Sequence, residues 1–213
     1  MLKRKFIATV FGAIAAFAIS AAAQAQVAGK DFAPVNPPQA TGNPAKIEVL
    51  EFFSYGCIHC YHFHSAVKKW AASLPADVEF KRVPVSFSRA PWFNLSRLFY
   101  ALETTGDLAR LDEAAFAAIH DKNVKLYDDA TIKAWVAQEK VDPKKFAEAY
   151  DSFGVQSKAR RADQITAAYK VQGTPSIAVD GKYMVLNEGL NSYEEILARA
   201  DKLIGKARSE KKK

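Results

Sequence analysis

Three consecutive stretches near the start of the chain dictate how its backbone must pair. IEVLEFF, Ile47 to Phe53, is an almost unbroken run of β-branched and aromatic residues, the pattern of a strand buried on both faces. CIHCYHFHSAVKKWAASL follows from Cys57, with Tyr61, Val67, Trp70, Ala66 and Ala71 at spacings compatible with a helix that starts near Cys57. VEFKRVPVSF, Val78 to Phe87, is a second strand. Strand, helix, strand in that order predicts two parallel strands joined by a right-handed crossover, so the fold class is α/β.

From about Ala90 to Lys170 the period becomes helical. Trp92, Leu95, Phe99 and Leu102 recur at i, i+3, i+7 and i+10, and Ile132, Trp135, Val136 and Glu139 begin another face after Asp128 and Asp129. Asp142-Pro143 is a helix start, a capping side chain before a proline in the first turn, with Phe146, Tyr150 and Phe153 on its apolar face. A further helix runs from about Val155 to Tyr169. Strand signals then return: PSIAV, the Asp180-Gly181 turn and KYMVL form a hairpin, and Ser192-Tyr193-Glu194-Glu195 opens a last helix to about Lys206. The order βαβ, helical block, ββα predicts one sheet built from both halves, with a helical domain inserted between them. The corresponding divisions are a lead-in over 26–45, sheet segments over 46–89 and 166–206, a helical insertion over 90–165, and a basic tail over 207–213.

The ends of the chain indicate where it works. Lys3, Arg4 and Lys5 precede an uncharged stretch from Phe6 to about Ala18, and Ala21, Ala23 and Ala25 follow. This is the pattern of a secretory signal peptide over 1–25, cleaved after Ala25 or, alternatively, after Ala23. The apolar run is short for a membrane span of ~20 residues, which leaves an anchored form that keeps its leader as the other reading. Formal charge falls from +7 to +4 once Lys3, Arg4 and Lys5 leave, and Lys211, Lys212 and Lys213 hold part of the remainder. The other cations are spread beside acidic neighbours, so no nucleic-acid partner is expected. The mature chain, about 188 residues, suits one domain with an insertion.

The chain's two cysteines, Cys57 and Cys60, are separated only by Ile58 and His59. A disulfide closing so short a loop constrains the unfolded chain little, so an inert structural bridge is the weaker reading. Placed after a buried strand at a helix start, the pair is where a redox motif is expected. The helix N-terminus stabilises the thiolate of Cys57, His59 can add positive charge or a hydrogen bond, and whatever stabilises the thiolate makes the disulfide more oxidising. Cys57, exposed at the helix tip, is then the sulfur that client thiols attack, and Cys60, a turn deeper, its buried partner. Cys57, Cys60 and His64 share a helical face, with His62 nearby, so zinc is conceivable, but structural zinc sites usually draw on two separated knuckles. Haem attachment needs His directly after the second Cys, where Tyr61 stands. No metal or resident cofactor is expected.

EFFSYGCIHCYHF resembles the active-site segment of the DsbA family of bacterial periplasmic thiol:disulfide oxidoreductases, and GTPSIAVDGKY, Gly173 to Tyr183, resembles that family's cis-proline segment. The order of elements is similar too, over nearly all of the mature chain. The resemblance implies a thioredoxin-like fold with an inserted α-helical domain, and a low-pKa cysteine in a strong oxidant. It makes Cys57 the nucleophile, Cys60 the resolving cysteine and His59 the histidine that favours the thiolate. Pro175 would follow a cis peptide bond from Thr174, and the segment Gly173, Thr174, Pro175, facing Ile58, would pair with an extended client by strand addition.

Glu51, six residues before Cys57 inside an apolar strand, matches an acidic residue of the family. Buried, its pKa rises and it can exchange protons with Cys60 through water; the other reading puts it at the strand's exposed end. Lys81 or Arg82 would be its basic partner, with Arg82 favoured. The best-known family members have proline at Ile58 and valine at Thr174. Threonine before the cis-proline also occurs in isomerases and reductases of the thioredoxin superfamily. The leading expectation is a monomeric oxidase that donates its disulfide to reduced, newly exported proteins in the periplasm and is reoxidised by a DsbB-like, quinone-linked membrane protein. The alternatives are a periplasmic isomerase or reductase and a non-enzymatic metal- or partner-binding module. Only about 20 residues separate the cleavage site from the first strand, too few for the dimerisation domain of familiar isomerases.

Overall fold

The computed structural model describes residues 27–212. The segment 1–25, expected to be a signal peptide, lies outside them, and among the described residues no helix is long and apolar enough to cross a membrane. The elements in chain order are β1 (Phe32–Pro34), β2 (Ile47–Phe53), α1 (Ile58–Ala72), β3 (Val78–Pro84), α2 (Ala90–Thr105), α3 (Leu108–His120), α4 (Asp129–Gln138), α5 (Pro143–Asp151), α6 (Phe153–Ala168), β4 (Ser176–Val179), β5 (Tyr183–Val185) and α7 (Tyr193–Lys211). One sheet holds all five strands in the order β1-β5-β4-β2-β3. β2 pairs parallel with β3, as a βαβ crossover requires, and antiparallel with β4. Five helices stand between the two strand-rich halves, so the fold is thioredoxin-like with a helical insertion.

Every residue of β2 is buried, Glu48 and Glu51 included. Period-two alternation divides it between two layers. Ile47 and Val49 pack with α1 and α7 on one face; Leu50 and Phe52 pack with Ala162 of α6 on the other. Phe53 leaves the strand into a third core, built within the helical insertion from Phe99, Phe116, Trp135 and Tyr150, and this core also takes in Tyr55, Cys57 and Cys60. The cysteine pair therefore sits where sheet and insertion meet.

Local chemistry accounts for most boundaries. Asp142 caps α5 by accepting from Lys144 and Lys145 N–H, and Ser192 caps α7 by accepting from Glu195 N–H. Glu195 reaches back to Asn191 N–H, one residue before the cap. In the β4–β5 turn Asp180 and Gly181 both adopt positive φ, 52° and 68°. A Cβ on Gly181 would lie 2.0 Å from the Gln39 carbonyl oxygen, so only glycine fits there.

Several boundaries depart from the sequence expectation. Phe153 does not extend the apolar face of α5: it is 87% exposed, because Ser152 breaks the helix with extended backbone and caps α6. Glu139 is the C-cap of α4 instead of a member of its face. β3 ends at Pro84 instead of at Phe87: its partner β2 ends at Phe53, whose carbonyl takes a last bond from Val85 N–H, and Phe87 and Ser88 turn the chain with positive φ. α7 runs on to Lys211, and the Pro-rich lead-in contains β1, which pairs with β5.

Candidate active site

The loop after β2 delivers Cys57 to the N-cap of α1, with extended backbone (φ −96°, ψ 116°). Its sulfur accepts a hydrogen bond from Cys60 N–H at 3.4 Å, and its S–H donates to the Thr174 carbonyl at 3.3 Å. Both thiols are free. The Cys57 pKa is lowered to about 5 by hydrogen bonds from the Cys60 thiol, the Thr174 side chain and the backbone N–H groups of Cys60 and His59, which together outweigh burial. Burial drives the Cys60 thiol far above the ordinary range, and the adjacent Cys57 sulfur adds to the effect. The two sulfurs are thus split in the sense that thiol exchange needs, one a good leaving group and one a sulfur that holds its proton.

Access is narrower than the sequence implied. Cys57 is only 9% exposed, where a freely exposed tip was expected, because the Thr174 segment covers it; Cys60 is fully enclosed. Ile58 and His59 are exposed between them. His59 contributes its backbone N–H to the Cys57 sulfur. Thr174–Pro175 is a cis peptide. Gly173 is exposed, Thr174 and Pro175 half-buried, and with His59, Met184 and Tyr193 they line a groove of about 640 Å³.

Glu51 is buried behind this layer at 1% exposure. It accepts from Arg82 Nε at 2.8 Å, and Arg82 Nη1 donates to both oxygens of Asp112, at 2.8 and 2.6 Å. Burial raises the Glu51 pKa while Arg82 opposes it; Asp112 is held below the ordinary range because the charge and hydrogen bonds of Arg82 prevail over burial. The Arg82 guanidinium lies 3.7 Å over the Phe53 ring, and Tyr55 OH donates to Asp112 at 2.7 Å. Lys81, the other candidate partner, pairs with Glu48 and Glu79 instead.

Asp112, Tyr55 and His64 were not singled out as a group by sequence. Asp112 comes from α3, 30 residues from Arg82 and 57 from Tyr55. His64, which a zinc reading would place with the cysteines, is buried against Phe116 and 3.5 Å from Asp112, with its pKa lowered by burial. Helical period gave a hint of its inward direction; nothing in sequence gave its partner. His120 donates to the Tyr55 carbonyl at 2.8 Å and stacks on Tyr61, tying α3 to the active-site loop.

A protein-family model described as "DSBA-like thioredoxin domain" matches residues 48–198. The chain is 36% identical over 211 residues to the thiol:disulfide interchange protein DsbA of Pseudomonas aeruginosa, covering 99% of this chain and 100% of the relative. It is 38% identical over 207 residues to the DsbA of Bordetella pertussis, 96% of each. The crystal structure of Pseudomonas aeruginosa DsbA superposes with a TM-score of 0.83 at 36% identity, over 88% of this chain and 97% of that one. The oxidoreductase NmDsbA1 from N. meningitidis superposes with a TM-score of 0.79 at 29% identity, over 88% and 96%.

Proposed function

Because the chain belongs to the family of DsbA-like thioredoxin-domain proteins, and is therefore a thiol-disulfide oxidoreductase, we propose that it works as a donor, passing a Cys57–Cys60 disulfide to reduced, newly exported proteins. A client thiolate attacks Cys57 Sγ, the Cys57–Cys60 bond breaks, and Cys60 departs and takes up a proton. A second client thiolate then attacks the client sulfur of the mixed disulfide. Cys57 leaves as a thiolate, the client gains a disulfide, and two electrons stay on the protein. A quinone-linked membrane oxidase of the DsbB type, accepting those electrons, restores the bridge. The basic, apolar, Ala-x-Ala pattern over 1–25 supports export to the periplasm as the setting.

The observation that carries the donor reading is the Cys57 sulfur at the N-cap of α1, accepting from Cys60 N–H at 3.4 Å, an environment that lowers its pKa to about 5. A reduced form stabilised in this way makes the disulfide the less favoured state and Cys57 the better leaving group. Glu51 is then a positioned acid–base group for Cys60, its carboxyl kept protonatable by burial. The Thr174–Pro175 segment would hold an extended client by strand addition beside the groove.

The test is the redox equilibrium with glutathione together with the thiolate absorbance of the reduced protein against pH. A midpoint near 5 and a couple that oxidises glutathione are expected. A midpoint near the free value of ~8.5 with a strongly reducing couple overturns the donor reading.

A further inference from the structure

A second feature borders Cys57 from the side of the helical insertion and takes no part in the groove at the cis-proline. A Cβ built on Gly56, the residue before Cys57, would lie 3.2 Å from Trp92 Nε1, so the indole of α2 rests directly on the active-site loop. The guanidinium of Arg89 lies 3.9 Å over that indole, and the Phe87 ring stands 6.0 Å from it. Arg89 is exposed, and among the described residues its guanidinium faces the rings of Trp92 and Phe87 and no carboxylate.

The backbone under this platform is held in an unusual shape. Phe87 and Ser88 both have positive φ, 47° and 59°, a region that a bulky side chain rarely enters. Ser86, fully buried, fixes the turn: its hydroxyl donates to Asp163 of α6 at 2.8 Å and accepts from Ser88 N–H, and its carbonyl accepts from Arg89 N–H at 3.0 Å. Two consecutive left-handed residues persist only where the surroundings over-determine them. The result of that strain is the placement of Phe87 and Arg89 on Trp92.

A guanidinium that spends its face on an indole keeps its edge free. That edge presents N–H donors in a planar fork that matches a carboxylate, and the stacking has already removed much of the side chain's rotational freedom. We propose that Arg89 on Trp92 is a specificity determinant of this oxidoreductase, selecting client segments that carry an Asp or Glu side chain close to the reacting cysteine. The inference rests on the donor reading above and adds to it a preference among clients.

Pairs of reduced dicysteine peptides that differ only by Asp against Asn, placed at each position flanking one cysteine, test it through the ratio of kcat/KM within each pair. For the native protein the expected ratio is about two- to five-fold in favour of Asp in at least one register, the range of an exposed ion pair, and it shrinks as ionic strength rises. In Arg89→Ala it falls to one, and in Arg89→Glu it inverts. Arg89→Lys retains part of the preference, since the charge remains without the fork. A ratio of one in every register of the native protein, or a ratio unchanged in Arg89→Ala, overturns the proposal. A native protein that oxidises neither member of any pair overturns the donor reading, and this inference with it.

Discussion

Among the described residues five helices begin with a side chain that accepts a backbone N–H, and one of the five does so with a sulfur in place of an oxygen. Asp128, Asp142, Ser152 and Ser192 place an oxygen at the head of α4, α5, α6 and α7; Cys57 places a sulfur at the head of α1. The electrostatics are the same, unpaired N–H groups at the positive end of a helix. With oxygen the interaction goes into folding stability and, at a carboxylate such as Asp128, into a lowered pKa, with no redox couple to feed. With sulfur, whose proton is held far less tightly than that of a serine hydroxyl, it goes into an ionisation equilibrium, and from there into the redox couple. A fold-stabilising device thus becomes chemistry when the capping atom can both ionise and bond to a second sulfur.

The strongest way to break this comparison is Cys57→Ser. The cap remains, since serine is a good N-cap, and the disulfide is impossible. Oxidation of reduced peptides should fall to the uncatalysed rate, while the thermal midpoint at acid pH, where Cys57 is a neutral thiol, stays close to that of the reduced native protein. Retained exchange in this variant would show that Cys57 is not the reacting sulfur.

Arg82→Met separates the sulfur's surroundings from the buried ion cage behind them. Removing the guanidinium leaves Glu51 and Asp112 facing each other without compensation, which should cost about 3–5 kcal/mol in urea unfolding. Adding Glu51→Gln and Asp112→Asn should recover part of the loss, because the three groups act as one unit. Arg82 is not among the groups that act on Cys57. The absorbance midpoint of Cys57 should therefore stay near that of the native protein even as stability drops, and a large movement would mean that the cage, not the helix start, sets the sulfur.

Glu51 and Arg82 also show where sequence stopped being informative. The cysteine spacing, the strand–helix–strand order, the Asp142-Pro143 start and the Ser192 cap are local features, so they could be read along the chain. Glu51 was legible as an anomaly, a carboxylate in an apolar strand. Which cation meets it depends on register: Glu51 lies opposite Arg82 in the parallel β2–β3 ladder, while Leu50 lies opposite Lys81, so the pleat turns the two cations to opposite faces. The period of α3 does set Asp112, four residues from Leu108 and from Phe116, on the helix's apolar face; what stayed hidden was its partners, Arg82 of β3 and Tyr55 of the active-site loop. β1 is three residues long in a Pro-rich segment and has meaning only once β5 is beside it. What failed to appear in sequence was, in each case, a contact between distant segments.

The comparison predicts pH dependence of the same sign at the ionisable caps but in separate windows: hydrogen bonds from Thr131 lower the Asp128 carboxyl within the acid range, while the Cys57 contribution falls nearer neutrality. The Cys57 pKa, about 5 when folded, lies below the unfolded thiol value of ~8.5. A depressed pKa contributes stability that is complete above the unfolded value and is lost as pH falls through the folded one. Relative to Cys57→Ser, the reduced native protein should therefore gain stability between about pH 5 and pH 8.5, by roughly 2 kcal/mol once solvent screening is allowed for. Below pH 5 the two should converge. Urea midpoints of both reduced proteins across this window measure the effect, and parallel curves would deny the thiolate any role in stability.

The smallest effect tests the oxygen side. Asp142 accepts from two backbone N–H groups, at 2.9 and 3.0 Å, and its loss in Asp142→Ala should destabilise the protein by about 1 kcal/mol. Because α5 belongs to the helical core that also encloses Cys57 and Cys60, a change in its first turn has a packed route to the active site. The comparison nevertheless requires that the Cys57 midpoint and the rate of peptide oxidation remain at native values. An oxygen cap acts on the folding equilibrium, and no ionisable sulfur is within its reach. If Asp142→Ala moved the thiolate titration, the sulfur would be responding to packing of the insertion as a whole, and the helix start could no longer be treated as a self-contained electrostatic unit.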